Sequence, residues 1–182
     1  MITTVLSFTL ILVLLFLSGS IIIPNFFGAP WFPTSHARIQ QALRLCGAKP
    51  GEILCDLGCG DGRVLITGVK EFGLKGIGVE IDPIKVWVSK WKVRRIGLLD
   101  KIKIIRKSVY EFDYSHVDIL FIYLTHQAQD RLLPILKKKI KPGARIVCYK
   151  FCMKGVKPDQ ISKDGSTFLY RLNKGIYVNE FS

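Results

Sequence analysis

Two acids and three glycines spaced G-x-G-x-G stand together in Asp56-Leu57-Gly58-Cys59-Gly60-Asp61-Gly62-Arg63, a segment that could hold a nucleoside cofactor. Glycine lets a backbone turn tightly and approach a ligand because no Cβ stands in the way. The segment follows a short apolar run, Ile53-Leu54-Cys55, and precedes a helix-compatible stretch from Val64 to Phe72. That order reads as strand, turn and helix, with Asp56 at the strand end. A second strand, Gly76-Ile77-Gly78-Val79-Glu80, ends in a carboxylate 24 residues after Asp56, placed to grip a pair of ribose hydroxyls. The turn lacks both the G-x-G-x-x-G spacing of dinucleotide sites and the Gly-Lys-Ser/Thr ending of kinase-type phosphate loops. Asp61 within it would repel a pyrophosphate. A cofactor carrying cations fits better, and S-adenosylmethionine, with its sulfonium and ammonium groups, is one. The plain alternative is a glycine-rich turn that holds nothing; the paired acids and the intervening strand argue against it.

The elements around this turn alternate. A helix is expected from Pro33, with Ser35 as its cap and Ile39, Ala42, Leu43 and Cys46 as its apolar face. Gly47 and Pro50-Gly51 end it. After the second strand, Pro83 opens a helix carrying Ile84 to Arg95, and Gly97 stops it. A third strand is read over Lys101 to Val109 and a fourth, nearly all apolar, over Val117 to Leu124. The helix from Gln127 to Ile140 ends in Lys137-Lys138-Lys139, cations that suit its C-terminus. A fifth strand spans Ala144 to Phe151. Thr167 to Leu172 and Ile176 to Val178 flank Asn173-Lys174-Gly175, a hairpin signal. Five alternating βα units closed by an antiparallel hairpin predict an α/β fold, a doubly wound, mostly parallel sheet covered on both faces.

Ile2 to Ile23 is a run of 22 residues without a charge. As a helix it would reach roughly 30 Å, the thickness of a bilayer's hydrocarbon core. Phe26, Phe27, Trp31 and Phe32 follow, residue types favoured at headgroup level. The expectation is a retained single transmembrane span rather than a buried helix, which would show a polar stripe, or a cleaved signal peptide, which would carry Lys or Arg before its apolar run. The division expected is an anchor over residues 1–24, a juxtamembrane, cofactor-covering segment over 25–34, and a folded, cofactor-binding domain over 35–182. All 27 Lys and Arg lie from Arg38 onward, so the positive-inside rule would place the folded domain at the cytoplasmic face.

A net charge of +13 admits nucleic acid as a partner. Beside a membrane span, an anionic lipid surface is the more economical partner, and no nucleic acid is expected. The five cysteines have no metal-ligand spacing, Cys55 and Cys148 fall in apolar strands, and the three histidines are scattered, so no metal is expected.

The order of elements, the D-L-G-C-G-D-G-R turn and Glu80 resemble the class I, seven-strand S-adenosylmethionine-dependent methyltransferases. Pro30-Trp31-Phe32-Pro33-Thr34 is similar to the Pro-aromatic-x-Pro-Thr segment of a narrower group. That group holds small archaeal protein-lysine methyltransferases and the membrane-anchored enzymes acting on lysines of ATP synthase c-subunit and adenine nucleotide translocase. The Lys141-Pro142-Gly143-Ala144-Arg145-Ile146-Val147 stretch resembles the same group. The resemblance implies that Asp56, Gly58, Gly60 and Gly62 shape the pocket for the cofactor's methionine half, and that Glu80 binds the ribose. By the same resemblance Ser108 lies near the adenine, Thr34 closes over the cofactor, and Tyr123 faces the transferable methyl as the candidate catalytic residue. Its relatives carry Phe-x-x-Pro-x-Trp-x-Pro after the fifth strand; here Phe151 and Pro158 are kept but Lys154 and Val156 fill the other places. That segment is expected to border the acceptor channel.

The resemblance implies a protein substrate with an acceptor lysine. A small molecule or lipid precursor, then RNA, and last a non-catalytic cofactor-binding protein remain as alternatives. Against RNA, the run Phe121-Ile122-Tyr123-Leu124 stands where enzymes acting on nucleic-acid amino groups carry Asn/Asp-Pro-Pro-Tyr. Tyr123 could equally be a strand-end aromatic packing beneath a loop.

Overall fold

The computed structural model describes residues 2–27 and 33–171. Its first helix, α1 (Ile2–Phe27), carries the apolar run. The expected membrane span is overturned: among the described residues no helix is long and apolar enough to cross a membrane. The consecutive side chains described on α1 run from Thr4 to Leu15 and are exposed. The expected single-pass localisation, with the domain oriented by that span, falls with it. The side chains from Phe26 to Phe32 lie outside those described, and with them the Pro30–Phe32 part of the family-like segment.

The remaining elements are α2 (His36–Leu45), β1 (Ile53–Leu57), α3 (Arg63–Phe72), β2 (Lys75–Glu80), α4 (Pro83–Arg95), β3 (Ile102–Arg106), β4 (Ile119–Ile122), α5 (His126–Lys139), β5 (Arg145–Tyr149), β6 (Gln160–Ile161) and β7 (Thr167–Arg171). One seven-stranded sheet runs in the order β3-β2-β1-β4-β5-β7-β6. Pairs from β3 through β5 are parallel; β7 runs antiparallel to both β5 and β6. The doubly wound, mostly parallel seven-stranded sheet expected from the sequence is thus present.

Differences in detail have local causes. No helix separates β3 from β4. Residues 107–118 cross back over the sheet as a loop, pinned where Tyr114 Oη donates to the Val109 carbonyl and Phe112 packs edge-on against Tyr114. Both flanking strands end sooner than expected, because the chain leaves the sheet before Ser108 and before Tyr123. Ser35 sits at the N-cap of α2, yet only its carbonyl serves the helix; its side chain makes no capping bond. The antiparallel partners seen for β7 are β5 and the two-residue β6, which the sequence pattern does not signal; the turn expected at 173–175 lies outside the described residues.

Two apolar layers sandwich the sheet. Leu54, Leu65, Val93 and Ile102 belong to one and Leu57, Leu120, Ile122 and Tyr170 to the other. Full burial of such side chains contributes about 1.5–3 kcal/mol each. In β2, Gly78 is needed for close approach: a Cβ there would come within 2.6 Å of Cys59 Sγ, 2.8 Å of Ile104 and 2.9 Å of Leu65. That glycine lets the turn after β1 settle against its neighbouring strand.

Candidate active site

The sheet reverses its winding between β1 and β4, and the crevice at the C-terminal ends of these strands is where open α/β sheets bind ligands. Here the turn from Gly58 to Gly62 leaves β1. Its three glycines all have left-handed φ, of 71°, 53° and 78°. The Gly58 and Cys59 N–H groups donate to the Val79 carbonyl at 2.8 and 3.2 Å, fastening the turn to β2. Glu80, at the end of β2, closes the arrangement. Its Oε2 accepts from Gly60 N–H at 3.0 Å, and its Oε1 accepts from the N–H groups of Ile81 and Asp82 at 2.9 and 3.0 Å. A carboxylate offers about four acceptor positions, so capacity remains for hydroxyl donors.

Asp56 is buried, and its carboxylate makes no hydrogen bond or ion pair among the described residues. Burial, with the nearby negative charges of Glu80 and Asp61, pushes its carboxyl up to about 8. A buried acid without a partner is the donor set expected around a cationic ligand.

Asp61 behaves differently from the sequence reading. Burial alone would raise its pKa, but Arg63 and Lys92 hold it down to about 2. Arg63 donates to both carboxylate oxygens, at 2.9 and 2.8 Å, and Lys92 Nζ approaches at 2.8 Å. Two cations surround one acid, so Asp61 is not the bare negative charge that would repel a phosphate. Repulsion by Asp61 therefore does not select the cofactor class; the unpartnered Asp56 is the sounder reason for a cationic ligand.

One cleft gathers Thr34, Asp56, Gly58, Gly60, Glu80, Ser108 and Tyr123. Gly62 stands behind the wall, at the N-cap of α3, and turns the chain into that helix. Thr34 is buried, and its carbonyl accepts from Arg63 Nη1 at 3.4 Å, tying the N-terminal segment to the turn. Ser108 lies just beyond β3, its Oγ accepting from Tyr110 N–H at 3.3 Å. Tyr123 packs edge-on against Tyr149, ring centroids 4.9 Å apart, and stacks near Phe151 at 6.2 Å.

Residues that the sequence reading missed complete the rim. Lys150 has a left-handed φ of 64°, the single non-glycine residue so placed among the described residues, and its Nζ lies 5.9 Å from the Tyr123 ring centroid. Gln129 is 2% exposed, and its Nε2 donates to the carbonyls of Leu124 at 2.9 Å and Phe151 at 3.0 Å. It clamps the loops after β4 and β5 together. A polar residue on the apolar Leu132–Leu136 face of α5 is the signal that could have found it; a strand-end lysine carries none. Of the segment expected at the acceptor channel, Phe151 lines the cleft, whereas Val156 packs into the core and Lys154 pairs with Asp130 at 3.9 Å.

Residues 56–160 match the family described as ANTKMT methyltransferase domain. The chain belongs to that family. It is an S-adenosylmethionine-dependent methyltransferase. A protein-lysine N-methyltransferase of Saccharolobus islandicus is 30% identical over 152 residues, covering 82% of this chain and 91% of the relative. The ATP synthase c-subunit lysine N-methyltransferase of Xenopus laevis is 24% identical over 148 residues; the match covers 81% of this methyltransferase and 65% of the relative. Among solved structures, an RNA methyltransferase from Salinibacter ruber in complex with S-adenosyl-L-homocysteine aligns with TM-score 0.77 and 28% identity, over 80% of this methyltransferase and 97% of that chain.

Proposed function

We propose that this methyltransferase transfers a methyl group to the ε-amino nitrogen of a lysine in a protein substrate. Asp56 would hold the cofactor's ammonium, Glu80 its ribose hydroxyls, Ser108 the adenine side, and Thr34 the N-terminal lip; Gly58 and Gly60 would let the backbone close in. Bound at the site, the cofactor supplies an electrophilic methyl on a sulfonium.

The observation that carries the lysine reading is the rim itself. Tyr123 and Phe151 line the cleft, Tyr149 backs Tyr123 from the core, and a lysine ammonium, that of Lys150, lies 5.9 Å from the Tyr123 ring centroid. Such faces attract alkylammonium groups and suit the apolar stem behind them. Tyr123 would align the acceptor amine for in-line attack, which is the larger part of what a methyltransferase must supply. An acceptor lysine, with an ordinary pKa of about 10.4, must first lose a proton. Burial between aromatic rings and beside a cation disfavours its charged form, so a water path suffices to carry the proton away.

The named relatives support the same acceptor. RNA is the second reading, favoured by the Salinibacter ruber structure. Purified chain with methyl-labelled cofactor and host fractions separates them. Label in lysine of a protein band is expected, and Tyr123→Ala should abolish it while cofactor binding persists. Label recovered only in RNA, or only in an organic extract, would sink the proposal.

A further inference from the structure

The positive charge of the chain is not spread evenly. A groove of about 780 Å³ runs between α4 and the edge strand β3, against about 190 Å³ for the cofactor cleft. Its walls include the first residues of β1, β2 and β3, which puts it at the end of the sheet opposite the active site. Trp87, Lys90, Trp91 and Arg94 form one exposed stripe of α4, at helical spacings of three and four. Lys75 at the start of β2, Lys101 just before β3 and Lys103 in β3 line the same groove. Five cations thus line the groove against one acid, Asp100, and among the described residues none of the five joins an ion pair. Trp87 is 67% exposed and Trp91 47%; the Arg95 guanidinium lies 5.2 Å from the Trp91 ring centroid and leaves its other face for a base.

Two bland explanations fall short. Lysines on an edge strand deter strand-to-strand association, which would account for Lys101 and Lys103. It does not account for Trp87, left largely in water beside them, or for Trp91, half exposed with Arg95 over one face, since exposed aromatics invite the association such lysines prevent. A merely solubilising surface would mix both signs of charge and lack the indoles.

We infer that this groove binds single-stranded RNA, with phosphates on its lysines and arginine and bases stacked on Trp87 and Trp91. A positively charged groove carrying open aromatic faces is the arrangement that holds single strands without sequence preference. An acidic peptide would satisfy the cations but leave the indoles idle. A bilayer surface calls for a protruding patch, and these residues line a concavity. RNA binding here is independent of the acceptor, because the groove lies away from the reacting end of the sheet.

Anisotropy of a fluorescein-labelled single-stranded 12-nucleotide RNA, titrated with the full chain, tests it. Five phosphate contacts imply a log–log salt slope of about −3.5, or roughly 100-fold weaker binding between 50 and 200 mM salt. Trp87→Ala and Trp91→Ala should each weaken binding about fivefold or more. Trp87→Phe, which keeps a ring, should retain most of it. Lys90→Glu with Arg94→Glu should weaken binding and flatten the slope. Cofactor affinity by calorimetry should be unchanged in every variant, which separates loss of the groove from loss of the fold or of the active site. Absence of binding at 50 mM salt, or binding unchanged in both Ala variants, would overturn the inference. So would equal competition by polyglutamate, or capture of the chain by phosphatidylserine–phosphatidylcholine vesicles with no capture by RNA.

Discussion

Asp56 makes cofactor affinity depend on pH in a direction that can be worked out. Its carboxyl titrates near 8 because it is buried beside two other acids and lacks a partner. Without cofactor, the raised pKa stabilises the folded protein at pH below the ordinary carboxylate range, and that contribution is lost as pH rises through about 8. Binding of a cationic ligand requires the ionised form. With a pKa of about 8 the carboxylate is ionised to about 1% at pH 6 and about 9% at pH 7, and apparent affinity scales with that fraction. Affinity should therefore rise about ninefold from pH 6 to pH 7. Over this range an α-amino group, with pKa about 7.7, stays mostly protonated, so the slope reports mainly on Asp56. Calorimetry in two buffers of different ionisation enthalpy should find about 0.7 proton released per cofactor bound at pH 7, about 0.9 from Asp56 less about 0.2 taken up by the cofactor's amine. Asp56→Asn should remove both the slope and the proton release, and bind roughly tenfold or more weakly at pH 8, where the lost interaction is charge-assisted. A flat affinity from pH 6 to 7 in the parent chain, or an unaltered slope in Asp56→Asn, would refute this account of the carboxylate.

Gly78→Ala should lower stability by about 1–3 kcal/mol in denaturant unfolding, since its Cβ would press on Cys59, Ile104 and Leu65 together. Because Cys59 belongs to the cofactor turn, the same variant should weaken cofactor binding; unchanged stability would show that the three neighbours yield freely. Asp61 has the opposite pH sign to Asp56. Its lowered pKa stabilises the fold above the ordinary carboxylate range, and that contribution disappears as pH falls through about 2. Asp61→Asn should thus cost roughly 1 kcal/mol near neutrality, discounted because Arg63 and Lys92 are partly in solvent, and almost nothing at pH 2, read by thermal melting. Gln129→Leu removes the donor shared by Leu124 and Phe151. It should lower kcat for methyl transfer more than it weakens cofactor binding, and Gln129→Asn should not restore it, the shorter side chain failing to span both carbonyls. Equal losses in both quantities would mean that the clamp is only structural.

The cofactor end of the site was legible before the fold because its determinants are local. Three glycines with left-handed φ turn the chain wherever they stand, and an acid at each of two adjacent parallel strands must arrive at the same edge once those strands pair. The alternation of apolar runs with helix-compatible stretches settled the sheet for the same reason. Asp61 shows where that kind of reading stops. Its charge is held by Arg63, two positions on, and by Lys92, 31 positions away on α4, and no local pattern announces the second partner. The aromatic rim proposed to meet the acceptor is likewise assembled from residues at and after the ends of β4 and β5 and held by Gln129 from α5. The apolar N-terminal run marked hydrophobicity, yet its reading as a membrane span was overturned in the structure. Net charge was a sum over the sequence; only the packing of α4 against β3 sorted it into a groove, because exposure and pairing depend on neighbours distant along the chain.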